Sequence, residues 1–154
     1  MAKIALVADS TADLPEDVRK EWDIHVIPLK VRFGSEEYLD HEITSEEFYR
    51  RLEEADELPR TSQPSPEEFM SLYEELLQDY QEIISVHLSS ALSGTLNAAN
   101  IAKERLKAKV HIVDSKTISL GFGLMVVDIA RRIQEGMDSV QIMGGLSKVR
   151  QNIE

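Results

Sequence analysis

Three short apolar segments of the chain have the composition of strands that are buried on both faces of a sheet. They span residues 4–8, 83–88 and 110–113, and each leads into a cluster of Ser, Thr or Asp and then into a helical pattern of apolar positions. This threefold succession of strand, loop and helix predicts an α/β fold, in which helices flank a mainly parallel sheet and the crossovers are right-handed.

A fourth apolar segment has a different period. Apolar and polar positions alternate over residues 27–33, which is the pattern of a half-exposed strand, and Pro28 favours a place at a sheet edge. Residues 34–36 have the composition of a turn that leads into a short partner strand around Tyr38 and Leu39. We therefore expect a short edge hairpin beside the parallel strands.

Four helix starts are indicated by pairs of side chains. The first side chain of a pair accepts a hydrogen bond from a backbone N–H of the helix, and the second, three residues later, accepts one from the backbone N–H of the first residue. We expect a helix to begin at each such pair, with Pro66 in the first helical position of the third. Apolar positions predict two further helices, over residues 96–106 and 124–133, and Gly136 is expected to end the second. The pairs are Asp13 with Glu16, Thr44 with Glu47, Ser65 with Glu68, and Asp138 with Gln141.

Composition limits the function classes to which the chain can belong. Its 154 residues suffice for one globular domain, and its net charge of −11 disfavours nucleic acid, whose binding depends on lysine and arginine at phosphates. The absence of cysteine excludes disulfides, thiolate catalysis and thiolate metal sites. No apolar stretch is long enough for membrane insertion and the N-terminus has no signal-peptide pattern, so we expect a cytoplasmic protein.

The polar clusters that follow the three strands are rich in hydroxyls. They comprise residues 9–11, 89–95 and 114–117, and a fourth hydroxyl-rich stretch, residues 60–65, precedes a capped helix. In a parallel α/β sheet, ligands bind beyond the carboxyl ends of the strands, where helix N-termini present N–H groups without partners. The expected rim has many neutral donors and few cations, which suits a carboxylate with an apolar tail better than a polyphosphate.

Enzyme motifs are weak or absent in these clusters. A P-loop would need Lys followed by Ser or Thr after its second glycine, whereas Thr95 and Leu96 follow Gly94. His87 and His111 lie within apolar strands, so we interpret them as core or sheet-face residues, and no base is paired with a candidate nucleophile. We therefore expect neither catalytic residues nor a cofactor.

One enzyme hypothesis remains as the alternative. Asp9, Asp13 and Asp114 follow segments whose ends could meet at one sheet edge, and carboxylates are ligands that Mg²⁺ prefers. A metal-dependent phosphotransferase or phosphatase would use Asp9 and Asp114, since Asp13 is already assigned to a helix cap. The leading hypothesis, ligand binding without catalysis, requires no metal site.

Four motifs occur in order along the chain: Asp9-Ser10-Thr11-Ala12-Asp13-Leu14, Thr61-Ser62-Gln63-Pro64-Ser65, Ser89-Ser90-Ala91-Leu92-Ser93-Gly94-Thr95 and Val113-Asp114-Ser115-Lys116. Their order and spacing resemble the DegV family of bacterial fatty-acid-binding proteins. The resemblance implies Rossmann-like layers and a carrier rather than an enzyme. Such a carrier holds a long-chain fatty acid in an apolar tunnel and presents it to a separate fatty acid kinase, which makes the acyl phosphate.

The resemblance also implies a head-group site. In the family, a threonine of the second motif and a serine of the third grip the carboxylate, which places Thr61 and Ser93 in that role here. N–H groups near Gly94 and Thr95 would add the field of a helix N-terminus. The full set of expected binding residues is Thr61, Ser93, Ser62, Gly94, Thr95 and Ser10.

DegV proteins usually have a second α/β domain that closes the tunnel, and this chain ends about where that domain would begin. We therefore expect residues 1–154 to form a single domain of the N-terminal type, with the C-terminal domain of the family absent. One wall of the tunnel would then be open to water, so we expect weak fatty-acid binding, or binding only by an assembly. Self-association through the open face is a further hypothesis, with Phe122 and Leu124 as contacts, although burial of both is the favoured interpretation.

Overall fold

The computed structural model describes residues 2–151, in which strands and helices alternate along the chain. The ends of the expected domain, residue 1 and residues 152–154, lie outside the described residues. The strands are β1 Ile4–Asp9, β2 Ile24–Ile27, β3 Lys30–Phe33, β4 Glu36–Leu39, β5 Arg60–Ser62, β6 Glu82–His87 and β7 Val110–Asp114. The α-helices are α1 Glu16–Glu21, α2 Ser45–Glu54, α3 Pro66–Leu76, α4 Thr95–Leu106, α5 Ser119–Gln134 and α6 Ser139–Gln151.

Four strands form a parallel sheet in the order β2-β1-β6-β7, which confirms the α/β fold predicted from the sequence. The two central strands, β1 and β6, are buried along their whole length. The sequence of β1 is apolar up to Asp9, as expected for such a strand, whereas β6 also buries the polar residues Glu82, Ser85 and His87. Because all four strands run in the same direction, their carboxyl ends meet at one edge of the sheet.

Helices cover both faces of the parallel sheet and give it the expected Rossmann-like layers. Successive side chains of β1 point to opposite faces. Leu6 and Ala8 pack in a cluster with α5 and α6, whereas Ala5 and Val7 pack in a second cluster with α3 and α4. No helix within residues 2–151 is both long enough and apolar enough to cross a membrane.

Strands β4, β3 and β5 form a separate antiparallel sheet in that order. The predicted hairpin is present, because β3 pairs with β4. The prediction of one strand over residues 27–33 is wrong: the chain leaves the parallel sheet after Ile27, and the segment around Pro28 separates β2 from β3. The sequence analysis also missed β5, which pairs with the other side of β3 and places β3 in the middle of the small sheet.

Three of the four predicted helix caps are confirmed. The prediction for Asp13 is wrong, because a turn of 3-10 helix at Ser10–Ala12 ends there with Asp13 in the left-handed region at a φ of 51°. Helix α1 begins only at Glu16, without a side-chain cap, and the Asp13 carboxylate accepts a hydrogen bond from the Ser119 hydroxyl instead (2.6 Å). Both bonds of the predicted pair are present for Ser65 with Glu68 and for Asp138 with Gln141. At the third cap, Thr44 accepts the N–H of Glu47, but the Glu47 side chain binds Arg50 and Arg51 instead of reaching back.

Candidate functional site

Ser93 lies immediately before α4, in the loop that follows β6. Its Oγ accepts a hydrogen bond from the backbone N–H of Thr95 (3.2 Å), and the hydroxyl oxygens of the two residues are 2.9 Å apart. Thr95 is fully buried, Ser93 is half-buried and Gly94 is exposed. Gly94 occupies the N-cap position of α4, and Ser93, one residue earlier, binds the first N–H of the helix while part of its side chain remains accessible from solvent.

Thr61 and Ser62 lie in β5, on an edge strand of the small antiparallel sheet. Thr61 is opposite Val31 and Ser62 is opposite Lys30 in β3, and both side chains of β5 are exposed. The sequence analysis placed these hydroxyls in a stretch before a capped helix. The structure gives them an extended backbone held by β3, which fixes the direction of each side chain more firmly than a free loop would.

A side-chain contact brings the Thr61 and Ser93 segments together. The amide of Gln63 lies against the backbone of Gly94, so that a Cβ built on Gly94 would meet Oε1 of Gln63, with Nε2 at 2.9 Å and Cδ at 3.0 Å. Gly94 has a φ of −79°, which any residue adopts, so glycine is needed here for the close approach and not for its dihedral angles. The sequence analysis gave Gln63 no role, although a glycine directly before a helix is a signal of such an approach.

Lys30 places a cation beside these segments, and the sequence analysis did not identify it. Lys30 is opposite Ser62, and its Nζ lies 2.9 Å from Oε1 of Glu68. The hydrogen bond to Glu68 raises the pKa of Lys30, so that the ammonium stays charged while the carboxylate offsets its charge. The exposed donors of β5 are the neutral hydroxyls of Thr61 and Ser62 together with the guanidinium of Arg60, a cation that the expected hydroxyl-rich rim did not include.

Ser10 lies at the end of β1 and begins the 3-10 turn. Its Oγ accepts a hydrogen bond from the backbone N–H of Leu29 (2.9 Å), which ties the turn to the connection between β2 and β3. This hydroxyl thus has a clear part in the fold at the carboxyl edge of the sheet. The role of Ser10 at a head group stays a prediction.

The carboxylates of the enzyme alternative have separate hydrogen-bond partners. Asp9 is fully buried and bonded to the turn after β1 and to the residue after β6. Asp114 accepts hydrogen bonds from the Ser90 hydroxyl (2.5 Å) and from the backbone N–H of Lys116 (2.9 Å). Among residues 2–151, no group of three or more His, Cys, Asp or Glu side chains is placed to hold a metal ion. This geometry gives no support to a metal-dependent site at Asp9 and Asp114.

His87 and His111 lie within strands of the parallel sheet, as the sequence predicted. His111 contacts Glu82 (Nε2 to Oε2, 3.0 Å), and His87 is fully buried between Asp9 and Ser85. Ser85, His87 and Asp9 are hydrogen-bonded in the sequence Ser-His-Asp, like a catalytic triad. This arrangement was not predicted from the sequence. Ser85, however, lies within β6 at zero exposure, so a substrate does not reach its Oγ.

Four apolar side chains are exposed at the same edge of the sheet as Ser93. The loop that contains Ser93 is bonded to the segment before α5 through the N–H of Ser89 and the carbonyl of Thr117 (2.9 Å). The sequence analysis favoured burial of Phe122 and Leu124, which is correct for Phe122 and wrong for Leu124. We call the four exposed residues the apolar rim: Leu92 (63% exposed), Ile118 (45%), Leu120 (74%) and Leu124 (55%).

Comparison with known proteins finds one family. The family model described as "Uncharacterised protein, DegV family" matches residues 3–154. A DegV domain-containing protein of Staphylococcus aureus is 44% identical over 155 residues, an alignment that covers 100% of this chain and 55% of the relative. The chain therefore spans about half the length of the first curated relatives that it matches.

Solved structures share the fold along nearly the whole chain. A DegV family protein from Thermus thermophilus, described by its fatty acid binding, superposes with a TM-score of 0.91 at 37% identity, over 97% of this chain and 54% of that protein. DegV from Bacillus subtilis, described as a fatty acid binding protein, superposes with a TM-score of 0.92 at 35% identity, over 98% of this chain and 55% of that protein.

Proposed function

The chain belongs to the DegV family, and from this premise we propose that it binds a long-chain fatty acid whose carboxylate is held by Thr61 and Ser93. The similar proteins of T. thermophilus and B. subtilis are described as fatty acid binding. This chain corresponds to about half of each of them, so the proposal concerns what this half contributes.

The contact between Gln63 and Gly94 is the observation that carries the proposal. It joins the two hydroxyl-bearing segments at the N-terminus of α4, where first-turn N–H groups have no partner within the helix. A carboxylate at this junction would accept hydrogen bonds from both Thr61 and Ser93 and would lie in the favourable field of the helix. The remaining head-group residues proposed here are Ser62, Gly94, Thr95 and Ser10.

Ser93 has the hydrogen-bonding capacity for two tasks. A serine hydroxyl has one proton to donate and two lone pairs to accept. Its oxygen already accepts the N–H of Thr95, and when the Thr95 hydroxyl donates across the 2.9 Å contact between the two hydroxyls, the Ser93 proton is available for a carboxylate oxygen. A charge-assisted hydrogen bond of this kind is stronger than one between neutral groups. One serine would thus bind the first N–H of α4 and the carboxylate of the ligand.

The apolar rim offers a surface for the acyl chain. Leu92 precedes Ser93 directly, and Leu120 and Leu124 lie one turn apart on α5. A carboxylate held at Ser93 would therefore have exposed leucine side chains on the same edge of the sheet. Contact with them would remove apolar surface of both ligand and protein from water, which contributes about 25 cal/mol per Å².

The role that fits these features is that of a carrier in the cytoplasm. The chain would act as one domain of the N-terminal type and would present the bound acid to a fatty acid kinase, which performs the chemistry. Self-association through the apolar rim is a second way in which the same leucines could be covered. Neither role requires a catalytic residue or a cofactor in this chain.

Mass spectrometry of the purified chain, loaded with hexadecanoic acid and measured under native conditions, tests the proposal. The variants are Thr61→Val, which keeps the shape and removes the hydroxyl, and Ser93→Ala. The control is Ser147→Ala, at an exposed serine of α6. We expect the acid bound to the wild type and the control and lost from both site variants. A complex that survives in both site variants, or a wild type that binds no acid in any oligomeric state at excess acid, would contradict the proposal.

A further inference from the structure

Four polar side chains form a continuous hydrogen-bonded chain inside the protein. The hydroxyl of Tyr73 donates to Ser85 Oγ (2.8 Å), Ser85 Oγ lies 2.8 Å from His87 Nε2, and His87 Nδ1 lies 3.1 Å from Asp9 Oδ2. All four residues are completely buried. We call this set the buried polar chain. Buried polar groups are costly unless they are paired, so a chain in which each member is paired is a specific feature of the fold.

The partners of Asp9 fix the direction of the hydrogen bonds. Its carboxylate also accepts the N–H and the hydroxyl of Thr11 at Oδ1 (3.0 and 2.5 Å) and the N–H of Leu88 at Oδ2 (2.9 Å). A carboxylate only accepts, so Nδ1 of His87 must donate to it. In the neutral imidazole, Nε2 is then an acceptor for the Ser85 hydroxyl, which itself accepts from Tyr73.

Each end of the buried polar chain leads to a segment of the proposed head-group site. Asp9 holds the turn that contains Ser10 and the residue from which the Ser93 loop departs. Tyr73 lies in α3, the helix that follows Thr61 and Gln63, and Phe69 of the same helix packs edge-on against the His87 ring at a centroid distance of 5.1 Å. The buried polar chain therefore connects β1, β6 and α3, the three elements that support the site.

We propose that His87 is a positioning residue, whose hydrogen bond from Nδ1 to Asp9 holds the ends of β1 and β6 in the register that places Ser93 for ligand binding. The effect of His87 on fatty-acid binding rests on the proposed function. The role of His87 in holding the ends of β1 and β6 does not. The link between Nδ1 and Asp9 is the essential one. The link between Nε2 and Ser85 anchors the far side of the ring and does not touch the site.

Two substitutions of His87 by amide side chains test the hydrogen bond from Nδ1 and the hydrogen bond at Nε2 separately. His87→Asn places its amide near the position of Nδ1 and retains the donor to Asp9, whereas His87→Gln reaches toward the position of Nε2 and loses that donor. Hydrogen exchange at the amides of Thr11 and Leu88 reports directly on the Asp9 carboxylate. We expect both amides to exchange about tenfold faster or more in His87→Gln and to keep near wild-type protection in His87→Asn.

Affinity for hexadecanoic acid is the second readout. We expect it to fall about tenfold or more in His87→Gln and by less than about threefold in His87→Asn, because only the first variant frees the Ser93 loop. Two variants that lose affinity and protection equally would show a merely structural role for His87 and would overturn the inference. A wild type without affinity would instead contradict the proposed function, while the exchange comparison would still decide the positioning role.

A measurement on the wild type covers the case in which His87→Gln does not fold. Long-range proton–nitrogen NMR correlations of the His87 ring distinguish the two tautomers of a neutral imidazole. We expect a proton on Nδ1 and a lone pair on Nε2, as the partners of Asp9 require. The opposite tautomer would leave two acceptors facing each other at Asp9 and would refute the inference.

Discussion

At the scale of single residues, Ser93 combines a hydrogen bond within the fold with the proposed hydrogen bond to a ligand. Its oxygen accepts the N–H of Thr95 at the start of α4, and the adjoining Gly94 leaves room for Gln63. The sequence shows Ser93 as a serine shortly before a helical pattern. The contact of Gln63 with Gly94 is not visible in the sequence, because it joins residues that are 31 positions apart and depends on the course of β5.

Ser93→Asp separates the two tasks of this serine. Aspartate accepts the N–H of Thr95 as well as serine does, so we expect the unfolding midpoint to change little. Its negative charge would repel the carboxylate of a fatty acid, so we expect binding to be lost by about a hundredfold or more. Thermal unfolding and a fluorescent fatty-acid displacement assay measure the two effects. Retained affinity in Ser93→Asp would remove Ser93 from the head-group site.

Gly94→Ala tests the contact between the two hydroxyl segments. A methyl group at Gly94 would displace the side chain of Gln63, and we expect about a tenfold loss of affinity for fatty acid with a fold that remains intact. The matched control is Gly144→Ala in α6, where a Cβ would meet nothing within 4 Å and a gain in stability of up to about 1 kcal/mol is expected from helix propensity. Equal affinities of both variants would show that the contact does not position the site.

At the scale of elements, β6 is tied to its neighbours by a buried carboxylate at its start. Glu82 accepts hydrogen bonds from Lys109 before β7 (2.5 Å) and from Ser139 at the start of α6 (2.7 Å), and its Oε2 lies 3.0 Å from Nε2 of His111. These bonds, first that from Lys109 and then that from Ser139, lower the pKa of Glu82 from its ordinary 4.5 to about 2. One carboxylate thus joins two strands and a helix at the edge of the sheet opposite to Ser93.

The low pKa of Glu82 predicts how stability depends on pH. A carboxylate whose pKa is lower in the folded than in the unfolded state stabilises the fold fully above about pH 4.5, and this contribution is lost as the pH falls toward 2. We expect Glu82→Gln to lower the free energy of unfolding at pH 7 by on the order of 2 kcal/mol and to have a much smaller effect near pH 2. Urea unfolding across this range, with the exposed Glu74→Gln as control, measures the difference. A pH-independent effect of Glu82→Gln would contradict this account.

The elements that the sequence predicted correctly are those whose signal is local. Buried parallel strands are short segments rich in apolar residues, and the caps at Thr44, Ser65 and Asp138 are recognised within four residues. The strand β5 was missed because its three side chains, Arg60–Ser62, are all exposed and show no apolar period, so that only pairing with β3 defines it. Asp13 failed as a cap because the turn after β1 uses it in a left-handed conformation.

At the scale of the whole molecule, the parallel sheet places the candidate binding residues and the Glu82 cluster at opposite edges. The hydroxyl clusters and the apolar rim lie beyond the carboxyl ends of the strands, and the Glu82 cluster lies at their amino ends. The sequence could predict the first arrangement, since it follows from the α/β order. It could not predict which apolar side chains of α5 stay exposed. Phe122 and Leu124 are both apolar, and they differ in exposure because they lie on different faces of the helix.

The length of the acyl chain should control affinity if the apolar rim contacts the ligand. A fully buried CH₂ group contributes about 0.8 kcal/mol, and a surface open to water on one side should give roughly half of this, or about a twofold gain in affinity per CH₂. Titration with saturated acids of increasing length measures this slope. We expect the double variant Leu120→Ser with Leu124→Ser to reduce the gain in affinity per CH₂ group. The control Val140→Ser, at an exposed position near the start of α6, should leave this gain unchanged. A slope unaffected by the two leucines would place the acyl chain elsewhere.

The central claim, that Thr61 and Ser93 together hold the carboxylate of a fatty acid, is tested most directly by comparing hexadecanoic acid with hexadecanol. Calorimetric titration of the wild type, of Thr61→Val with Ser93→Ala, and of the control Ser147→Ala gives the affinity of each for both ligands. We predict that the wild type and the control prefer the acid by about a hundredfold or more, since two charge-assisted hydrogen bonds are made only to the acid, and that the double variant loses this preference. An undiminished preference for the acid in the double variant would contradict the account.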